Sequence, residues 1–463
     1  MTDQLTDRRP VTAAGAYGVF EAMEDVSQYT KAGLFVKGTV TRLIARFSTV
    51  TGELGGPGTV RDPRCFAIKF YTDRGSYDLV GSNTPVFFIR DPEHRAVAPL
   101  RGSNAQWDFW TLRPESAHQV TILMTDRGIP ASWRHLNGYG GHTFMWYNAG
   151  DEKFWVKYHI KTDQGIQNLS YDDARMIAVR DPDHHTRDLY RAIAGGDFPS
   201  WTVQVQVMPF ADAAGYRFNP FDLTKVWPHE DYPPITIGRI RLDRNPVNYF
   251  AEIEQSAFEP ANLVPGIGPS PDKMLQGRLF SNPDTHRYRI GPNYLQLPAG
   301  KPRVTAQPAA SGGGHAYGRP AGRPDGAATG PSAGAGGPSA GATGVGGVGG
   351  SGFEPGSAGH PGPAAGHPAP DPGLWRGEQY QVTGEIMRTA YTLHRDDDDF
   401  AQPRALVETV LSGADRDRLV ASIVSHVRDG VSADLLPRVI GYWTSVSPAL
   451  GARVAQVLTS GAR

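Results

Sequence analysis

The chain has 463 residues, a formal net charge of -1 at pH 7 and one cysteine, Cys65. This length can hold one large domain with a sizeable core and a smaller one beside it. The balanced charge gives no reason to expect a nucleic-acid partner, and no apolar run approaches the ~20 residues of a membrane span. A single cysteine cannot form an intramolecular disulfide, and residues 1–9 are too polar for a secretory signal, so we expect a cytoplasmic setting.

Residues from about 11 to 302 are rich in aromatic side chains and predict a β-rich domain. The stretches 143–147 and 153–161 flank a short turn, and the second alternates apolar and polar residues, which is typical of a hairpin. Helices are predicted over about 170–178 and 184–194. Several strands separated by turn signals favour an antiparallel barrel.

The rest of the chain divides by composition. Gly, Ala, Pro and Ser dominate residues 303–373. This composition predicts a disordered linker, because such a segment has little apolar surface to bury against its loss of chain entropy. Residues 374–463 show helical periodicity and predict a helical region. Ser412 and Ser432 are predicted N-caps within it.

A stripe of polar side chains follows the helix predicted over about 271–290. It includes Arg278, Asn282, His286 and Arg289. Two arginines on one stripe can bind an anion that carries two carboxylates or phosphates. A surface face paired with acidic residues elsewhere explains the same pattern, so the spacing alone leaves both interpretations open.

Many segments between Gly15 and Leu297 closely resemble the haem catalases. They are residues 15–18, 46–50, 59–64, 107–110, 112–116, 126–130, 137–140, 219–229, 244–250 and 278–289. These matches are long and occur in the family's order, so the chain is identified as a member of that family. The tail from Gln379 onward is similar, more weakly, to the helical C-terminal region of the small-subunit catalases.

The resemblance implies an α+β fold, namely an eight-stranded antiparallel β-barrel with a wrapping segment and a C-terminal helical region. It also implies haem b, hydrogen peroxide as substrate, and its disproportionation to water and oxygen. In the family a distal histidine moves the peroxide proton, a distal asparagine orients the peroxide, and a proximal tyrosine binds the iron. Some catalases bind NADPH, for which Arg187 and Lys225 are candidate contacts. The N-terminal arm, residues 1–10, is shorter than the family's, which argues against the family's tetramer and leaves a homo-oligomer open.

Several positions keep the residues that the resemblance calls for. Ser48 stands where the family supports the distal histidine. The other matches are Arg46 and Arg289 at the haem propionates, Arg278 beside the proximal phenolate, and Phe87 and Phe88 in the distal aromatic wall.

Three positions depart from the family, and each lies inside a matched segment. Pro10 stands at the distal histidine, Ser82 at the distal asparagine and Asn282 at the proximal tyrosine. Proline cannot titrate, and a neutral carboxamide is a poor donor to iron. Without the phenolate, Arg278 is expected to be an uncompensated buried charge that turns to Asp284 or to solvent.

These departures leave two hypotheses. The chain is either a catalase-fold pseudoenzyme with lost or severely reduced turnover, or a working haem hydroperoxidase, catalase or peroxidase-like, with unusual iron ligation. The triple substitution favours the first. His286, one turn after Asn282, is interpreted as a structural contact and not as an iron ligand. The acidic run 396–399 is interpreted as solvated surface, and the charged stretch 92–99 replaces an apolar family segment.

Overall fold

A computed structural model describes residues 13–50, 56–92, 102–300 and 397–460, which belong to one compact unit. The strands in this part of the chain are β1 (Ala13–Ala22), β2 (Val40–Thr49), β3 (Arg64–Thr72), β4 (Gly75–Ser82), β5 (Gly138–Tyr139), β6 (Phe144–Tyr147), β7 (Lys153–Thr162), β8 (Ser200–Pro209), β9 (Ile235–Arg244) and β10 (Ile267–Pro269). The α-helices are α1 (Ser103–Thr111), α2 (Ala117–Met124), α3 (Tyr171–Arg180), α4 (His184–Ala194), α5 (Lys273–Arg289), α6 (Ala401–Ala405), α7 (Gly413–Arg428), α8 (Leu436–Val446) and α9 (Pro448–Ser460).

Eight of the strands close into an antiparallel barrel. Their order is β7-β5-β4-β3-β2-β1-β9-β8, and β8 pairs back with β7 along its whole length. Strands β6 and β10 extend the sheet beside β7. The predicted hairpin is present, since Phe144 of β6 pairs with Val156 of β7. The predicted fold class is confirmed.

The barrel interior is filled by every second side chain of its strands, as the two-residue period of a strand requires. Phe47 of β2, Phe66 and Ile68 of β3 and Leu79 of β4 are buried in one core cluster. Stacked and edge-on rings fill much of this space, for example Phe47 against Phe66 with ring centroids 4.5 Å apart.

The alternate side chains of β2, β3 and β4 point outward and form a surface that we call the covered face. Its members are Ile44, Arg46, Ser48, Cys65, Ala67, Lys69, Asp78, Val80 and Ser82. Tyr17, Ile253 and Phe258 pack against it as a small apolar cluster. The chain that follows β9 therefore lies over this side of the barrel.

The C-terminal helices share a second core with α1 and α2. Trp107 of α1 and Trp443 of α8 are fully buried there, with ring centroids 5.9 Å apart. Ser412 caps α7 in a reciprocal capping box with Asp415, as predicted. The prediction for Ser432 is wrong, because its hydroxyl bonds to Asn104 and α8 begins only at Leu436, with Leu435 as its N-cap.

The helices predicted in the barrel region are present. They are α3 and α4, and α4 ends at Gly195 as the Gly-Gly pair suggested. Gly196 has a φ of 82°, a left-handed conformation that glycine adopts without steric cost. Within the described ranges no helix combines the length and apolarity that a membrane span requires.

Asp399 joins the C-terminal region to the barrel. It accepts hydrogen bonds from Arg90 and from Lys225, whose Nζ lies 2.8 Å away, and its side chain is 17 % exposed. The interpretation of this acidic run as solvated surface is therefore wrong at Asp399. Burial favours a higher pKa at Asp399, but the two cations outweigh it and lower the pKa.

The arm 1–10 and the segment 303–373 lie outside the described residues. So does residue 374, where the helical region was predicted to begin. These boundaries stay predictions.

Candidate functional site

Helix α5 carries Arg278, Asn282, His286 and Arg289 and presents them to the covered face. Its N-cap is Asp272, whose carboxylate accepts the amide of Leu275 at 3.1 Å. Pro283 lies inside the helix, where it removes one backbone donor. Asn282 and His286 are buried on the side that faces the covering chain.

Asn282 is hydrogen-bonded to the covering chain, which is the segment that follows β9. Its Nδ2 donates to the carbonyl of Phe258 at 3.3 Å, and the residue is 8 % exposed. His286 engages the same residue, with Nε2 3.1 Å from the Phe258 carbonyl and 3.3 Å from the Phe258 amide. His286 thus makes the structural contact that the sequence suggested.

Arg278 is compensated in part, because a histidine links it to a carboxylate, and is not left wholly alone as the sequence predicted. Its Nη1 lies 2.7 Å from Nε2 of His142 and 3.3 Å from the Val80 carbonyl, and Nδ1 of His142 lies 2.7 Å from Asp272. Burial lowers the pKa of His142, which fits a neutral ring that donates to Asp272 and accepts from Arg278. Asp272 therefore offsets part of the Arg278 charge through the imidazole, but burial still lowers the pKa of Arg278.

The predicted partner of Arg278 is also wrong. Asp284 lies 3.9 Å from Arg287 on the outer side of α5. Sequence reasoning missed His142 and Asp272 as members of this site. Asp272 carried one usable signal, as an acidic residue just before a helix. His142 follows a Gly-Gly pair and carried none.

Arg46 and Arg289 lie close enough for their charges to interact. Nη1 and Nη2 of Arg289 donate to the carbonyls of Glu254 and Ser256, each at 2.6 Å. Burial and the charge of Arg46 together lower the pKa of Arg289 to about 9. Burial likewise lowers the pKa of Arg46, whose Nε is buried without a hydrogen-bond partner.

Three small side chains run across neighbouring strands beside these arginines. Ser48 of β2 is opposite Cys65 of β3, and Cys65 is opposite Ser82 of β4. Burial raises the pKa of the Cys65 thiol despite its bond to Ser48, so the thiol stays protonated at neutral pH. The Ser82 hydroxyl donates to the carbonyl of Thr84 at 2.9 Å, inside its own turn.

The remaining predicted residues lie away from this row. Phe88 stacks on Trp110 in the second core, with ring centroids 6.0 Å apart, and Phe87 packs beside it. Arg187 is exposed and paired with Asp181 at 3.0 Å. Lys225, 4 % exposed, is held by Asp399, which argues against a nucleotide contact there. Pro10 and the stretch 93–99 lie outside the described residues.

Comparison with known proteins places the chain in a family. A family model described as "Catalase" matches residues 6–325, and one described as "Catalase-related immune-responsive" matches 393–458. A solved bacterial catalase superposes with a TM-score of 0.77 at 41% identity, covering 97% of this chain and 86% of that one. A fungal catalase gives 0.78 at 34% identity, covering 98% and 88%. A closed eight-stranded barrel of this type defines a catalase-fold protein.

The chain belongs to the catalase family. It is 61% identical to a bromoperoxidase-catalase of Streptomyces venezuelae over 303 residues, 63% of each chain. It is 57% identical to mouse catalase over 300 residues, 62% of this chain and 57% of the other. A catalase of Methanosarcina barkeri is 48% identical over 89% of this chain and 77% of its own. The match thus spans less than two thirds of the Streptomyces and mouse proteins.

Under the correspondence that the resemblance implies, the residues present fit the edge of a haem but not its iron. Arg46 and Arg289 supply cations where the family's carboxylate-bearing edge would lie. The resemblance implies that Asn282 stands at the proximal position, and there its amide is bonded to Phe258, as is Nε2 of His286. Neither side chain offers the anionic oxygen that holds iron in catalases. No group of three or more His, Cys, Asp or Glu side chains in the described segments is placed to hold a metal ion.

The buried histidines predict that the protein loses stability in mild acid. Burial lowers the pKa of His159, His185 and His286, each to about 3, from an unfolded value of 6.5. Between about pH 3 and pH 6.5 the unfolded chain therefore binds more protons than the folded chain does. The stability from keeping the rings neutral is therefore complete above pH 6.5 and is lost as pH falls, by roughly 1.4 kcal/mol per unit for each ring.

Urea unfolding followed by tryptophan fluorescence tests this. The midpoint is expected to fall steadily from about pH 7 to about pH 5. A midpoint that stays level or rises over that interval contradicts the assignment of neutral buried imidazoles.

Proposed function

We propose that this chain is a catalase-family protein in which peroxide disproportionation is lost or severely reduced. The observation that carries the proposal is the contact of Asn282 with Phe258 at the position where the family binds iron. Overall similarity to catalases favours the ordinary reaction, and this single position argues against it. The family's reaction requires bound iron. For activity, the substitution at the iron-ligand position therefore counts for more than the many positions that match.

Two further positions support the proposal. The hydroxyl of Ser82 is committed to Thr84, so it does not replace a side-chain amide that orients peroxide. Pro10 aligns with the family's proton carrier and has no titratable group. Loss of a general acid–base group by itself typically lowers a rate by a factor of ~10²–10⁴.

A second candidate function is a haem hydroperoxidase with unusual ligation. The contacts from Asp272 through His142 to Arg278 favour it, because they hold a guanidinium one helical turn before Asn282. One relative is named a bromoperoxidase-catalase. In this candidate Arg46 and Arg289 would hold the propionates of haem b, and hydrogen peroxide would be the oxidant.

Oxygen evolution from hydrogen peroxide tests the proposal. The full chain, purified from cells supplied with haem, is compared with mouse catalase at equal concentration. We expect a rate at least ~10⁴-fold lower, combining loss of the proton carrier with loss of bound iron. A rate within about tenfold of the reference would support the second candidate instead.

The cytoplasmic setting, NADPH binding and the oligomeric state stay predictions.

A further inference from the structure

Residues 90–92 form a short segment that contacts both the C-terminal region and helix α5, and we call it the clasp. At one end Arg90 holds two carboxylates, with Nη1 3.1 Å from Asp222 and Nη2 bonded to Asp399. Asp399 belongs to the C-terminal region, and its second cation, Nζ of Lys225, lies 2.8 Å away. The arginine end of the clasp is therefore fixed in part by the C-terminal region.

The other end of the clasp contacts the first two turns of α5. Asp91 accepts a hydrogen bond at 3.0 Å from Nζ of Lys273, the first residue of α5. Pro92 lies over Gly277, so closely that a Cβ added to Gly277 would be 3.1 Å from the proline ring. Both contacts are made by residues next to Arg90 in the chain, so a displacement of Arg90 is passed directly to the start of α5.

The start of α5 holds the charged residues of the candidate site. Asp272 caps the helix and reaches Arg278 through His142, with a 2.7 Å contact on either side of the imidazole. Met274 is buried in the same core as the C-terminal helices α7 and α8. Packed side chains and a rigid helix can carry coupling between distant places, and hydrogen bonds weaken steeply when their geometry is disturbed. The position of the first turns of α5 therefore decides whether both contacts with His142 form.

We propose that the C-terminal region controls the geometry of the candidate site, and that Asp399 is the positioning residue through which it does so. Asp399 holds Arg90, and the clasp in turn holds the first turns of α5, with the cap and the guanidinium that contact His142. A change that loosens the docking at Asp399 then also loosens this charge arrangement. The inference goes beyond the proposed function, since it concerns how the site is held and not whether peroxide is turned over.

Hydrogen exchange of the full chain, measured by mass spectrometry, tests the proposal at the amides of residues 274–280. In Asp399→Asn we expect these amides to exchange at least ~10-fold faster than in the unmodified protein, as the loss of one charge-assisted contact would produce. Asp398→Asn is the matched control, because Asp398 is 49 % exposed and pairs with Arg404 inside the C-terminal region at 3.0 Å. The control should leave exchange in α5 unchanged. Faster exchange confined to residues 401–460, or of equal size in the barrel strands, overturns the proposal.

Lys273→Met opens the clasp at its other end and keeps the proposal testable even where Asp399→Asn fails to fold. The Lys273 side chain is 26 % exposed, so its loss disturbs the core little. Coupling between two places is reciprocal, and we therefore expect faster exchange in α6, residues 401–405, as well as in α5. The double variant should speed exchange in α5 by less than the product of the two single effects, because both changes break the same connection. Unchanged exchange in α6, or fully independent effects in the double variant, contradicts the coupling.

Discussion

Replacing Asn282 with tyrosine is expected to raise the haem content of the purified protein to about one per chain. The substitution places a phenol one turn after Arg278, whose charge Asp272 offsets only in part through His142. That guanidinium lowers the pKa of a neighbouring phenol and favours the phenolate that iron binds. The loss of the amide contact with Phe258 costs little by comparison, because one neutral hydrogen bond contributes about 1 kcal/mol.

Asn282→Phe is the matched control for this experiment. It adds the same ring without the oxygen, so it should not raise the haem content. Adding Pro10→His to Asn282→Tyr should then increase oxygen evolution by a further factor of ~10²–10⁴. Equal haem loading by the phenylalanine and tyrosine variants would show that ring packing, and not iron ligation, limits binding.

The second large effect is expected at Asp78. Its carboxylate lies 2.6 Å from Lys69 Nζ on the covered face, and the two side chains are 0 % and 2 % exposed. It also accepts the amide of Glu259 and the Nδ2 of Asn262, both at 2.8 Å. Asp78→Asn leaves Lys69 as an unpaired buried charge, and we expect the free energy of unfolding to fall by about 3–5 kcal/mol.

Urea unfolding measures this loss directly. Asp108→Asn is the control, since Asp108 pairs with Arg438 at 2.8 Å but is 57 % exposed. That change should cost less than about 1 kcal/mol. The double variant Lys69→Met with Asp78→Leu removes both charges and should recover most of the stability. Similar losses for Asp78→Asn and Asp108→Asn would mean that the buried pair is hydrated in solution.

The Lys69–Asp78 ion pair also supports the contact between Asn282 and Phe258. Asp78 fixes Glu259, the residue after Phe258, and Asn262, four residues after it, and Phe258 accepts a hydrogen bond from Asn282. The Asp78→Asn variant should therefore loosen the contact at position 282 as well as the fold.

The barrel could be predicted from the sequence because strands with a two-residue period leave a local pattern. The hairpin around 148–151 and helices α3 and α4 show the same dependence on local signals. The row formed by Ser48, Cys65 and Ser82 could not be found without the strand register, since it joins residues that are far apart in the chain.

Charge compensation was the part of the site that sequence reasoning judged wrongly. Arg278 depends on Asp272 only through His142, which is more than 100 positions away in the chain. A nearby acid such as Asp284 looked equally suitable, because helix spacing says nothing about which side the barrel covers. Asp399 was misjudged for the same reason. Its partners Arg90 and Lys225 come from distant segments and make an apparently solvated residue part of the structure.

The ratio of haem to polypeptide in the unmodified chain tests the central claim most directly. The protein is purified from cells supplied with haem precursor, and bound haem is measured as its pyridine complex against the protein concentration. With Asn282 in place of a phenolate we expect well under about one tenth of a haem per chain. A ratio near one, with a visible spectrum showing a ligand on the iron, would contradict the account.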